Sequence, residues 1–128
     1  MKIAHLADFH IGKKLENLHR DYELDVVFEE IFEQLIKNHI KVLLIAGDIF
    51  DTSRPTVKSM NLFYRFLKKL ADQKINTFIV AGNHDNESLL EIAKEFLYDS
   101  GIHIWGKVNL ESIDNHIFTL KLNNELLN

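Results

Sequence analysis

The chain has 128 residues, a formal net charge of −4 and no cysteine, with 46% hydrophobic and 27% charged side chains. That length makes one domain or part of one, able to bury roughly two-thirds of the surface its unfolded chain exposes. The lack of cysteine excludes disulfides, thiolate metal sites and cysteine nucleophiles, and the acidic balance excludes a general pull toward polyanions, so a phosphate-bearing substrate must be drawn by bound cations or a local basic patch.

The opening residues, Met1-Lys2-Ile3-Ala4-His5, lack the apolar stretch of a signal peptide. No apolar run approaches the ~20 residues of a membrane-spanning helix, so a soluble cytoplasmic protein is expected. Residues 2–7 form a continuous apolar run, which predicts a strand buried on both faces. Leu24, Val27, Phe28, Ile31, Leu35 and Ile36 recur at helical spacing. A second apolar strand is predicted over residues 41–46. Pro55 suits the first turn of the helix that places Met60, Phe63, Leu67 and Leu70 on one face. A third strand is predicted over residues 76–81. Ser88 and Glu91 read as a capping box opening a helix with Leu89, Leu90, Ala93, Phe96 and Leu97 on its apolar stripe, stopped at Gly101. Ile102–Trp105 is a weaker fourth strand. The order β-α-β-α-β-α-β implies a parallel sheet with right-handed crossovers. Phe118, Leu120 and Leu122 alternate with polar residues, which predicts an edge strand with one wet face, plausible as an antiparallel neighbour.

Polar residues follow the carboxyl end of each of the first three strands: Asp8-Phe9-His10, Gly47-Asp48-Ile49-Phe50-Asp51 and Gly82-Asn83-His84-Asp85. In an open α/β sheet these ends converge on the ligand crevice. Carboxylate, imidazole and amide oxygen are ligands for Mn²⁺, Fe²⁺ or Zn²⁺. Asp8 and His10 are expected on one side of a strand end, because side chains alternate at period two. The two oxygens of Asp48 can bridge two cations, and Asn83 adds a neutral oxygen that leaves the site net positive. Two cations about 4 Å apart would clamp a phosphoryl group and activate water. His84 is assigned to stabilise transition-state charge or protonate the leaving oxygen, and Asp85 to orient its ring.

These three segments resemble the first three motifs of calcineurin-like metallophosphoesterases. The stretch His5-Leu6-Ala7-Asp8-Phe9-His10-Ile11-Gly12-Lys13, the Gly47-Asp48-Ile49-Phe50-Asp51 run and Pro55 resemble its SbcD branch, the nuclease components of bacterial double-strand-break processing complexes. The resemblance runs to about Gly106. It implies a β-sandwich flanked by helices, of which this chain supplies the N-terminal half plus an edge strand. It also implies Asp8 and His10 on a first metal, Asp48 bridging, Asn83 on a second, and His84 as the catalytic histidine. Mn²⁺ is the expected metal, with Fe²⁺, Mg²⁺ or Zn²⁺ as alternatives. The implied activity is exo- and endonucleolytic cleavage of DNA. The implied partners are an SbcC-type coiled-coil ATPase and a second copy, docked through helices around residues 24–35 and 60–70.

The family's later histidine ligands have no counterpart here, since His103 and His116 lack the flanking pattern. Residues 1–128 are therefore expected to be a truncated single domain, weak in metal binding and nearly inactive alone. Two other functions stay open: another phosphoesterase (phosphomonoesterase, cyclic-nucleotide phosphodiesterase or nucleotide pyrophosphatase), and a non-catalytic dimerising fragment. Blander roles are expected elsewhere. His5 reads as a packed, hydrogen-bonded histidine, His19 and His39 as surface, and Trp105 as core. Asp51 reads equally as a neighbour of the metal shell or a turn cap, and Phe50 equally as site wall or core. Lys13, Lys14, Arg20 and Arg54 read singly as solvated charge and jointly as a basic rim for DNA phosphates.

Overall fold

The computed structural model of the chain describes residues 1–82, 85–106, 118–122 and 125–127, and of residues 19, 121, 122 and 125–127 only the backbone. Its elements run β1 (Ile3–Ala7), β2 (Lys14–Leu15), β3 (Leu18–His19), α1 (Asp21–Lys37), β4 (Val42–Ala46), α2 (Val57–Asp72), β5 (Asn76–Val80), α3 (Glu87–Leu97), a 3₁₀ turn (Tyr98–Ser100), β6 (Ile102–Trp105), β7 (Leu120–Leu122) and β8 (Glu125–Leu127). The four predicted apolar strands form one parallel sheet in the order β1-β4-β5-β6. Each crossover steps the same way along the sheet. With right-handed connections, this puts every intervening helix on one face.

Packing follows from that topology. Leu43, Ile45, Ile79, Ile102 and Ile104 point to the helical face and are fully buried with Phe28 and Leu35 of α1, Phe63, Phe66, Leu67 and Leu70 of α2, and Leu90 of α3. The opposite face carries Ile3, Leu44 and Val80, all exposed. His5 lies on this face and is exposed as well, so it is not the packed histidine expected. A strand's alternation sends His5 away from Ala4 and Leu6, which pack on the helix-side core.

Helix boundaries depart from the sequence signals in two places. Thr56 caps α2 through its Oγ1, which accepts from the Ser59 amide at 3.1 Å, so Pro55 precedes the helix rather than opening it. Asn86, not Ser88, caps α3, accepting from the Leu89 amide at 3.3 Å. The Asn86 amide also donates to the Ser53 carbonyl at 2.9 Å, which ties the cap to another loop. On α1, Val27 and Ile36 are exposed, so the buried stripe is narrower than its periodicity suggested. The predicted edge strand is β7, which among the described residues pairs antiparallel with β8 in a two-stranded sheet. The β2–β3 ladder, two residues a side, is too short to show an alternation. Among the described residues no helix is long and apolar enough to cross a membrane.

On the open face one aromatic group is packed. His103, 6% exposed, stacks on Phe78 at 5.0 Å and meets Tyr98 edge-on at 5.0 Å and Phe118 at 4.3 Å. Trp105 stacks on Phe78 at 6.0 Å and is half-buried, as expected of a packing residue. His103 Nδ1 has no hydrogen-bond partner among the described residues. Burial pushes its pKa below the ordinary histidine value. The unfolded chain therefore binds a proton more readily than the native one, so stability falls as pH drops through and below about 6.5. Urea midpoints at pH 8 and pH 5.5 are expected to differ, and His103→Phe is expected to shrink that difference. An unchanged difference would show that other groups set the pH dependence.

Candidate metal centre

The sheet's ladder continues beyond its strands, and this builds the site. Asp8 N donates to the Ala46 carbonyl at 3.3 Å, His10 N to Asp48 O at 2.9 Å, and Ile11 N to Ile49 O at 2.9 Å. Asp51 N returns to Ile11 O at 3.0 Å, and Ile11 and Phe50 form a parallel bridge. The two loops after β1 and β4 are thereby zipped together. Gly47 N donates to Val80 O at 2.8 Å and brings the third loop alongside.

Three backbones in this cluster are left-handed: Asp8 at φ 52°, His10 at φ 48° and Asp48 at φ 37°. Asp and His enter this region more readily than most residues, yet at a cost. Such strain concentrates where side chains must be aimed. Asp8 and His10 therefore share a direction through a turning loop, not through strand alternation, because β1 already ends at Ala7. Gly47, at φ 64°, supplies the same twist without a side chain.

The donors converge. One ligand atom each from Asp8, His10 and Asp48 lies within 4.8 Å of the others. His10 Nε2 is 3.9 Å from Asp48 Oδ2. Two donors on one cation of Mn²⁺ or Mg²⁺ size lie about 3–4.2 Å apart, so this pair can share an ion. His10 Nδ1 lies 3.3 Å from Asp51 Oδ1. A carboxylate beside Nδ1 is a common outer partner for a metal-bound histidine, and with the proton on Nδ1 it would leave Nε2 to ligate. This favours the metal-shell reading of Asp51. Phe50 is buried and packs edge-on against Phe63 at 5.6 Å, which gives it the core role.

Asn83 and His84 lie outside the described residues. Asp85 is described: Gly82 N donates to its Oδ2 at 2.7 Å, Ile49 N to Oδ2 at 3.1 Å, and Phe50 N to Oδ1 at 2.9 Å. Its expected contact with the His84 ring falls outside the described residues. Sequence reasoning missed the backbone role. The available signal was a short acidic side chain three residues after a glycine, positioned to reach back onto main-chain amides.

Of the basic residues, Lys13 and Arg20 line a recess of about 130 Å³ beside His10, together with Phe9, Glu23, Leu24 and Val27. Arg20 is paired with Glu23. His39 is exposed at the end of α1, and the His19 side chain is outside the described set.

Comparison with known proteins adds two findings. Residues 1–125 match the family model described as calcineurin-like phosphoesterase. The chain is 38% identical over 114 residues to the SbcD component of nuclease SbcCD from Bacillus subtilis, covering 88% of this chain and 29% of that protein. It is 30% identical over 127 residues to the protein of the same name from Rhodobacter capsulatus, covering 94% and 31%. Against the "DNA double-strand break repair protein Mre11" of Saccharolobus solfataricus, identity is 26% over 140 residues, covering 95% and 37%. The chain thus spans about a third of the length of these curated relatives.

Proposed function

The chain belongs to the calcineurin-like phosphoesterase family, and from that premise we propose that it forms the N-terminal, ligand-bearing portion of a metal-dependent DNA nuclease of the SbcD type. The observation that carries this reading is the convergence of Asp8, His10 and Asp48 where the loops after two adjacent parallel strands are zipped together. The names of the relatives support DNA as the substrate. A divalent pair, Mn²⁺ first, would supply electrophilic activation of a phosphodiester.

The chain's own residues divide the remaining work. Asp8, His10 and Asp48 would hold the cations, with Asn83 as a further oxygen donor. His84 donates a proton or a hydrogen bond to the departing oxygen. Asp51, 3.3 Å from His10 Nδ1, would favour the ligating tautomer of that ring. Lys13 and Arg20 line the recess beside His10 and would meet a DNA phosphate there, Arg20 by releasing Glu23. An SbcC-type ATPase is one proposed partner and a second copy, docked through α1 and α2, is the other, in the cytoplasm. Exposed Val26 and Val27 on α1 support such a contact between copies.

Asp48→Ala is expected to abolish Mn²⁺ binding in calorimetric titration while the circular dichroism stays that of the parent. Asp48→Gly, which relaxes the left-handed backbone, should give the same loss. Unchanged affinity in either variant rejects the bridging role. The chain alone is expected to bind Mn²⁺ weakly and to hydrolyse linear duplex DNA little. Hydrolysis as fast as that of relatives three times its length would contradict its assignment as a portion of the domain.

A further inference from the structure

We propose that Asp85 is a positioning residue that sets the spacing between the two loops carrying the ligands, and that it does so through backbone amides. The inference rests on the metal-site reading above and deepens it.

Asp85 is 7% exposed, and every partner its carboxylate has among the described residues is a main-chain N–H. Two of those amides, Ile49 and Phe50, directly follow Asp48. The third, Gly82, opens the turn that Asp85 closes, with Asp85 N donating to Gly82 O at 3.2 Å. Asn83 and His84 are the two residues between them in sequence. One carboxylate thus fastens the loop of the proposed bridging ligand to the loop of the proposed second-metal ligand and catalytic histidine.

The chemistry suits a clamp. A carboxylate accepts from several donors at once, and bonds to a charged acceptor are about twice as strong as neutral ones. Burial of the charge is tolerable only because the amides replace its water shell. The loops are also in hard contact: a Cβ on Gly82 would fall 2.2 Å from the Asp48 amide nitrogen. Contact sets the closest approach and Asp85 prevents separation, so Asp48 is held from both directions.

Asp85→Asn is nearly isosteric and tests the idea, because its amide nitrogen faces N–H donors it cannot accept from. The first readout is hydrogen exchange in the metal-free protein. The amides of Ile49, Phe50 and Gly82 are expected to lose protection, while those of Leu67 and Leu70 keep it and report an intact fold. The second readout is Mn²⁺ affinity, expected to fall tenfold or more, as for loss of other outer partners of ligands. Asp85→Glu, which keeps the charge, should recover part of that affinity. Leu70→Val, destabilised far from the loops, should retain the parental value, which separates positioning from general stability. Unaltered exchange of the three amides overturns the clamp. Altered exchange with parental Mn²⁺ affinity overturns the positioning role. A parent that binds no Mn²⁺ overturns the metal-site reading and the positioning role with it, an outcome distinct from the first two because the amide readout needs no metal.

Discussion

Gly82→Ala is expected to destabilise the fold by about 3 kcal/mol, at the upper end of overpacking effects, and to remove Mn²⁺ binding in the same step. A methyl group at this position meets Asp48 N at 2.2 Å, Asp48 Oδ1 at 2.5 Å and the Gly47 carbonyl carbon at 2.9 Å. The closest of these atoms cannot be moved by a side-chain rotation, because it is main chain. Two are main chain, and the third is a carboxylate oxygen proposed to touch the metals. Relief therefore requires the loops to part, which lengthens the Asp85 contacts described above and moves Asp48. Thermal denaturation should show a drop of roughly 10 °C, taking a few degrees per kcal/mol for a chain of this size. Calorimetry should show no Mn²⁺ uptake. A variant with parental melting temperature and affinity would mean that the loops are looser than the structure places them.

Phe63→Ala is expected to cost more, about 3–5 kcal/mol, as deletions of large buried aromatics do. Phe63 is fully buried on α2. It meets Phe9 at 6.5 Å, Phe50 at 5.6 Å and Tyr64 at 5.7 Å, all in edge or tilted geometry. Phe9 in turn lies 5.1 Å from Phe28, which stacks on Phe66 at 4.7 Å. Phe9 sits between Asp8 and His10 in sequence, and Phe50 stands two residues after Asp48. The aromatic group on the helices is thus the floor on which both ligand loops rest. Urea unfolding should report the lost stability, and Mn²⁺ affinity measured where the variant is still folded should fall as well. Full retention of affinity would mean that the loop-to-loop bonds alone hold the ligands, without support from α2.

The sequence made the framework legible because its signals were local. Four short Ile, Val and Leu runs between three helical stripes leave few topologies other than a parallel sheet, and Asp8-x-His10 and Gly47-Asp48 after adjacent strands mark two loops that meet. Long-range features escaped it. Asp85's three amides belong to residues up to 36 positions away, and no local pattern announces such a partner. The direction of Asp8 and His10 was expected for the wrong physical reason, since strand periodicity cannot foresee a chain turning left-handed one residue after the last ladder pair. His5 was misplaced because an apolar run does not reveal that only one face of its strand is covered. The caps at Thr56 and Asn86 were obscured by neighbouring Pro55 and Ser88, because each pair competes at one or two residues' distance, where composition does not discriminate.

The left-handed backbones at Asp8, His10 and Asp48 set folding and chemistry against each other at single positions. Glycine would relieve a conformational cost of up to about 1–2 kcal/mol at each, and would erase a donor atom in doing so. Glycine at any one of the three is therefore expected to trade a proposed ligand for main-chain ease, so the cost of aiming these side chains is carried by the backbone itself.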